Sequence, residues 1–164
     1  MPCRFFGSET GPWRLPDFEY GQELMWNVIF ATSLFRTDDW RAVGGFDEQM
    51  RGREDHDFIL RVLGLGRDVE RLDGVFFHYR RGRASVNDRL HAPDARPLLI
   101  DAYARMFRTN TELYRQHADA YMRAIFQVVD ERNELRMRYR HLERLRVSRV
   151  GQFLVRIKRR VRAA

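Results

Sequence analysis

Cysteine is nearly absent. Cys3 stands alone among 164 residues, which excludes a disulfide framework and a cysteine-based zinc site and suits a reducing compartment. Lysine is as scarce: of 30 basic residues only Lys158 is not arginine, a bias that says more about coding composition than about chemistry. No run of eighteen apolar residues and no signal-peptide pattern occurs, so a bilayer-spanning helix is excluded and one soluble domain, or part of a larger one, is expected. An even spread of positive charge is lacking too. Residues 1–118 carry 17 basic and 18 acidic groups, whereas residues 119–164 carry 13 and 5. The net charge of +7 therefore belongs to the tail, and nucleic acid is not an expected partner.

What is present divides the chain in two. The first twenty residues hold three of the five prolines and no regular period, and read as irregular chain. Glu23 to Phe35 is an apolar run predicted to form a helix that passes into a short buried strand over Val28–Phe35. Asp38 or Asp39 is expected to cap a helical turn through Trp40 and Val43, stopped by Gly44-Gly45. A second helix is predicted from Glu54 or Asp55 to Leu63, with carboxylates at its positive end and Gly64 and Gly66 after it. Short strands are predicted at Asp68–Arg71 and Gly74–Arg80. The polar stretch from Arg81 to Pro97 is the best boundary, giving domains over 1–95 and 96–164. Beyond Pro97 the pattern is helical, with a pause near His117. Tyr121, Val128, Leu135 and Leu142 then recur every seven residues with Ile125 and Tyr139 between them, an imperfect heptad suited to a partner helix. After Gly151, apolar and cationic residues share one short segment, which suits an anionic membrane surface.

Asp47, Glu48, Glu54, Asp55 and Asp57 place five carboxylates within eleven residues, next to the flexible Gly44-Gly45. A carboxylate held at a helix start beside a glycine-rich loop can take a proton from a hydroxyl nucleophile; the same groups read equally as caps and solvated loop charges. Trp40 reads by itself as ordinary core, and Arg80, Arg81 and Arg83 as solvated loop charges.

The string N-x-I-x-x-x-S-L-F-R-x-x-D-W-x-x-V-G-G-F-D-E from Asn27 to Glu48, followed by G-R-E-D-H-D-F-x-L-R from Gly52 to Arg61, resembles the acceptor-side, C-terminal half of glycosyltransferase family 2 enzymes. The later Y-R-x-x-x-x-S string beginning at Tyr79 resembles that family's ending. The resemblance implies an α/β fold: a partial GT-A-like sheet with helices, followed here by a mainly α-helical extension. It implies inverting transfer of a sugar from a nucleotide-diphosphate sugar donor to a glycan or cell-envelope acceptor hydroxyl, with Asp55 as catalytic base. Glu54, Gly44, Gly45, Asp47, Trp40 and Arg80 would bind substrate, with Asp57 structural. His78 matches a late-strand histidine that ligates a divalent metal, Mn or Mg, in some enzymes of this fold, and otherwise reads as a core residue.

The family's nucleotide-binding half, with its D-x-D motif, has no counterpart in the sequence, so a fragment inactive by itself is expected, with a metal only in the complete enzyme. The tail loosely resembles the region after the catalytic domain in bacterial polysaccharide glycosyltransferases, and a cytoplasmic location, peripheral at the inner face of the plasma membrane, goes with it. The alternative is a non-catalytic scaffold that binds a membrane or a partner helix through residues 119–164.

Overall fold

The computed structural model describes residues 3–13, 16–82 and 92–147. In chain order they form β1 (Cys3–Gly7), β2 (Gly11–Trp13), α1 (Tyr20–Met25), α2 (Thr37–Val43), α3 (Glu54–Leu63), β3 (Phe77–Arg81), a 3-10 turn (Pro93–Ala95), α4 (Arg96–Thr109), α5 (Thr111–Gln116) and α6 (Ala118–Val147). The chain divides into two units, Met1–Met122 and Arg123–Ala164. Together these elements make a small α/β assembly followed by a helical region, the class expected from the sequence.

The sheet has the order β2-β1-β3. β1 runs antiparallel to β2 and parallel to β3, with Cys3 opposite Phe77 and Gly7 opposite Arg81. Side chains alternate across a strand, and here one face collects rings: Phe5 stacks on Trp13 at 4.9 Å, and Tyr79 meets both edge-on. Phe30, from the loop after α1, closes this layer against Trp13 and Phe77. The other face carries the exposed Arg4, Phe6, His78 and Arg80. The irregular chain expected over the first twenty residues thus holds two strands: β1 pairs with β2 a few residues on and, along its other edge, with β3 some seventy residues away.

Two further expectations fail for local reasons. No strand forms over Val28–Phe35; the Val28 and Ile29 N–H groups donate to the Glu23 carboxylate at 2.9 and 3.2 Å, which takes donors that a strand ladder would need. Asp68–Arg71 is likewise not a strand, and the following strand starts later than predicted, at Phe77. Helix ends were better marked. α2 begins at Thr37 without a side-chain cap, so Asp38 and Asp39 lie in its first turn instead of capping it, and Gly44 ends it in the left-handed conformation (φ 77°). α3 starts at Glu54 and ends at Leu63, as predicted.

The core of the first unit is built on α3. Phe58, Leu60 and Leu63 bury against Leu24 of α1, Met106 of α4, and Leu113 and Tyr114 of α5. Helices on both sides of the polar stretch therefore share one apolar cluster, which is what allows α1 and α4 to fix the start of α3. The Tyr114 hydroxyl donates to the Leu24 carbonyl at 2.8 Å, and the His117 ring stacks on Tyr20 at 3.6 Å. The predicted helix from Pro97 breaks at Asn110 before it pauses at His117. Asn110 is buried there, and its Nδ2 donates to the Met106 carbonyl and to Asp57 Oδ1. α1 also approaches the start of α6 closely: a Cβ on Gly21 would lie 2.2 Å from the Ala120 carbonyl oxygen.

In the second unit α6 continues as helix through the heptad positions, and every side chain from Glu131 to Arg144 is exposed. The basic segment after Gly151, and the loop over residues 83–91 with Arg83 and the serine of the Y-R-x-x-x-x-S string, lie outside the described residues.

Candidate active site

The chain enters α3 through a strained corner. Gly52 has φ 99°, and Arg53, at the N-cap, is the one non-glycine described residue with positive φ (66°). A left-handed arginine costs on the order of 1 kcal/mol, and its guanidinium carbon lies 5.7 Å from the Tyr103 ring centre. This corner sets Glu54 and Asp55 in the first turn of α3. Glu54 is exposed; Asp55 is half-buried. Asn27 Nδ2 donates to Asp55 Oδ2 at 2.8 Å, and the His56 N–H donates to Oδ1 at 2.8 Å. Each carboxylate oxygen keeps a further lone pair for a proton or a hydroxyl.

Behind Asp55 lies a buried polar pair that sequence reasoning missed. Glu23 and His56 are both fully buried. His56 Nε2 lies 2.6 Å from the Glu23 carbonyl oxygen and 3.6 Å from Glu23 Oε1. A carbonyl can only accept, so Nε2 carries the proton and Nδ1 is bare. Burial pushes the Glu23 carboxyl up to about 8, opposed by the Val28 and Ile29 N–H groups and aided by the nearby Asp55. Burial also lowers the His56 imidazole, against the Glu23 carbonyl that favours its charged form. Both shifts lead to neutral groups at pH 7, so the 3.6 Å approach is not an ion pair. Among the described residues five buried side-chain atoms lack a hydrogen-bond partner: Arg61 Nη2, and Glu23 Oε1, Asn27 Oδ1, Arg53 Nε and His56 Nδ1, whose residues surround the start of α3. One signal in the sequence pointed here: a glutamate at the head of an apolar run has to be buried or solvated, and burial demands partners.

The glycine loop forms a second feature. Gly45 has φ 72°, and a Cβ there would come within 2.8 Å of Trp40 Cζ2, so the indole lies directly over it. Trp40 and Phe46 remain 42% and 46% exposed, which leaves aromatic surface in water beside the loop. Gly44, Gly45, Phe46 and Asp47 line a hollow of about 440 Å³ together with Asp57, Arg61 and Thr109. Asp47 is committed to closing the loop: Oδ1 accepts the Gln49 N–H at 2.9 Å, and Oδ2 pairs with Arg105 Nη2 at 2.7 Å. Asp57 is buried and pairs with Arg61 Nε at 2.8 Å. In the same way Arg67 Nη2 holds the buried Asp39 of α2 at 2.7 Å.

The predicted site residues thus fall into three groups. Gly44, Gly45 and Asp47 line the hollow, and Trp40 packs on Gly45 beside it. Glu54 and Asp55 stand at the head of α3, and Asp55 is not among the residues that line the hollow. His78 and Arg80 stand on the exposed face of β3, where the Arg80 guanidinium lies 5.5 Å from the Phe6 ring centre. Among the described residues no three His, Cys, Asp or Glu side chains gather as a metal-binding group, at His78 or elsewhere.

Residues 20–83 match the family model described as the N-terminal domain of galactosyltransferase. No curated protein and no solved structure matches the chain. The matched segment runs from α1 through β3 and contains Glu23, Asn27, Trp40, the glycine loop, Asp55 and His78. It is a glycosyltransferase-like domain.

Proposed function

We propose that this chain is the acceptor-side, base-bearing part of an inverting glycosyltransferase of the family 2 type, acting on a glycan or cell-envelope acceptor at the cytoplasmic face of a membrane. The observation that carries the proposal is Asp55, fixed by Asn27 in the first turn of α3 inside the segment that matches a galactosyltransferase domain. In the proposed reaction Asp55 accepts the proton of the acceptor hydroxyl as its oxygen bonds to the anomeric carbon of the donor. The bond from that carbon to the diphosphate breaks on the opposite face, and its electron pair leaves with the diphosphate. General-base help of this kind contributes about 10²–10⁴-fold. Glu54, exposed one residue earlier, accepts a hydrogen bond from an acceptor hydroxyl, and the open faces of Trp40 and Phe46 give a sugar ring an apolar seat. Arg80 is the candidate for the diphosphate. The donor-binding strands and the divalent metal, which neutralises a leaving diphosphate, belong to residues beyond those that this sequence supplies.

The matched family's name makes a galactose nucleotide the first donor to try. Saturation-transfer NMR of this chain with a panel of oligosaccharides tests the acceptor half: millimolar binding, weakened by Trp40→Ala and by Glu54→Gln, is expected. Absence of a binding signal from every saccharide overturns the proposal. With the donor-binding half supplied, Asp55→Asn should keep saccharide binding and lose transfer.

The scaffold reading has its own support in α6, which is exposed on all sides from Glu131 to Arg144. A helix so placed is free to bind another surface.

A further inference from the structure

We infer that α6 pairs with α6 of a second copy of this chain as a parallel, in-register, two-stranded coiled coil over residues 128–143. Leu135, Tyr139 and Leu142 are 62–65% exposed on a helix whose neighbouring side chains are exposed as well. Such a helix gains little from its own hydrogen bonds in water and is stabilised mainly by packing an apolar face. Val128, Leu135 and Leu142 fall seven residues apart, and Arg132 and Tyr139 lie four residues after the first two of them. That is the alternation of three and four that keeps one seam on a supercoiling partner.

The charges flanking this seam select the partner and its direction. Glu131 and Arg138 border it on one side, Arg136 and Glu143 on the other. In a parallel, in-register pair each residue of the first flank faces the residue five positions later on the second copy. Glu131 then meets Arg136 of the second copy and Arg138 meets its Glu143, and symmetry repeats both contacts. All four pairs have opposite sign. An antiparallel pair centred between Arg132 and Leu135 sets like flank against like flank, matches only Glu131 with Arg138, and leaves Arg136 and Glu143 unpaired. Arg132 in the seam fits two strands, where a long side chain can lay its stem along the interface and keep its guanidinium in water; a single polar seam residue also fixes register. The exposed Arg138–Glu134 pair within the helix is weak enough to exchange.

Sedimentation equilibrium of the full chain tests the inference. A concentration-dependent dimer is expected, abolished by Leu135→Asp without loss of the thermal transition of the first unit. Arg136→Glu turns two attractive pairs repulsive and should weaken the dimer about tenfold, and adding Glu131→Arg to that variant should restore it. Leu142→Cys should form an interchain disulfide under mild oxidation while the wild type, with only buried Cys3, does not. A monomer at concentrations on the order of 100 µM, or a dimer indifferent to Leu135→Asp, overturns the inference. Leu142→Cys that links only to Ile125→Cys overturns the parallel direction.

Discussion

Asn27 Nδ2 donates to Asp55 Oδ2 at 2.8 Å, across 28 residues of chain. The bond joins the loop after α1 to the first turn of α3, so the orientation of Asp55 depends on where that loop lies. The loop in turn is held by Glu23, which accepts the N–H groups of the next two residues, Val28 and Ile29. Asn27→Ala removes one donor from a half-buried carboxylate and should lower stability by about 1 kcal/mol, read from urea unfolding. In a reconstituted transfer assay it should reduce turnover less than Asp55→Asn does, because the base is misdirected but still present. Equal losses in both variants would show that Asn27 does more than position Asp55.

The Glu23–His56 pair predicts a particular dependence of stability on pH. Glu23 is raised from 4.5 to about 8 in the fold, so between these values the folded state holds a proton that the unfolded state has released. Stability therefore falls as pH rises across that window, by up to about 1.4 kcal/mol per pH unit. His56 is lowered from 6.5, so its contribution is lost as pH falls below 6.5, when the unfolded state takes up a proton that the fold refuses. The two slopes oppose each other on the acid side, and the Glu23 limb stands clear between pH 6.5 and 8. Glu23→Gln, neutral at every pH, should flatten that limb in a series of urea midpoints. A limb unchanged in the variant contradicts the assignment.

Gly45 carries the third prediction. Its φ of 72° disfavours any L side chain, and the Trp40 indole occupies the place of a Cβ. Gly45→Ala should cost about 1–3 kcal/mol, measured by thermal unfolding. Because the indole has one open face and can shift outward, the double variant Gly45→Ala, Trp40→Ala should recover the steric part and keep the backbone strain. Full recovery would mean that the left-handed conformation costs little at this corner.

What could be read in the linear chain were features whose causes are local. The limits of α3 followed from carboxylates at one end and glycines at the other, and the end of α2 from Gly44, because capping and left-handed turns involve residues within one helical turn. The heptad of α6 was legible for the same reason, as a period of neighbouring residues. The glycosyltransferase-like segment was recognisable from motifs in order along the sequence. The remaining features were decided by contacts that sequence spacing does not encode. β1 is the central strand because β3, some seventy residues on, lies along the edge that β2 leaves open, and Val28–Phe35 failed to become a strand because a buried carboxylate from Glu23 took its first two donors. The partners of Asp55 were decided in the same way. A carboxylate at a helix start is visible in any sequence, but whether it meets an asparagine, an arginine or water depends on which loop the folded core carries to it.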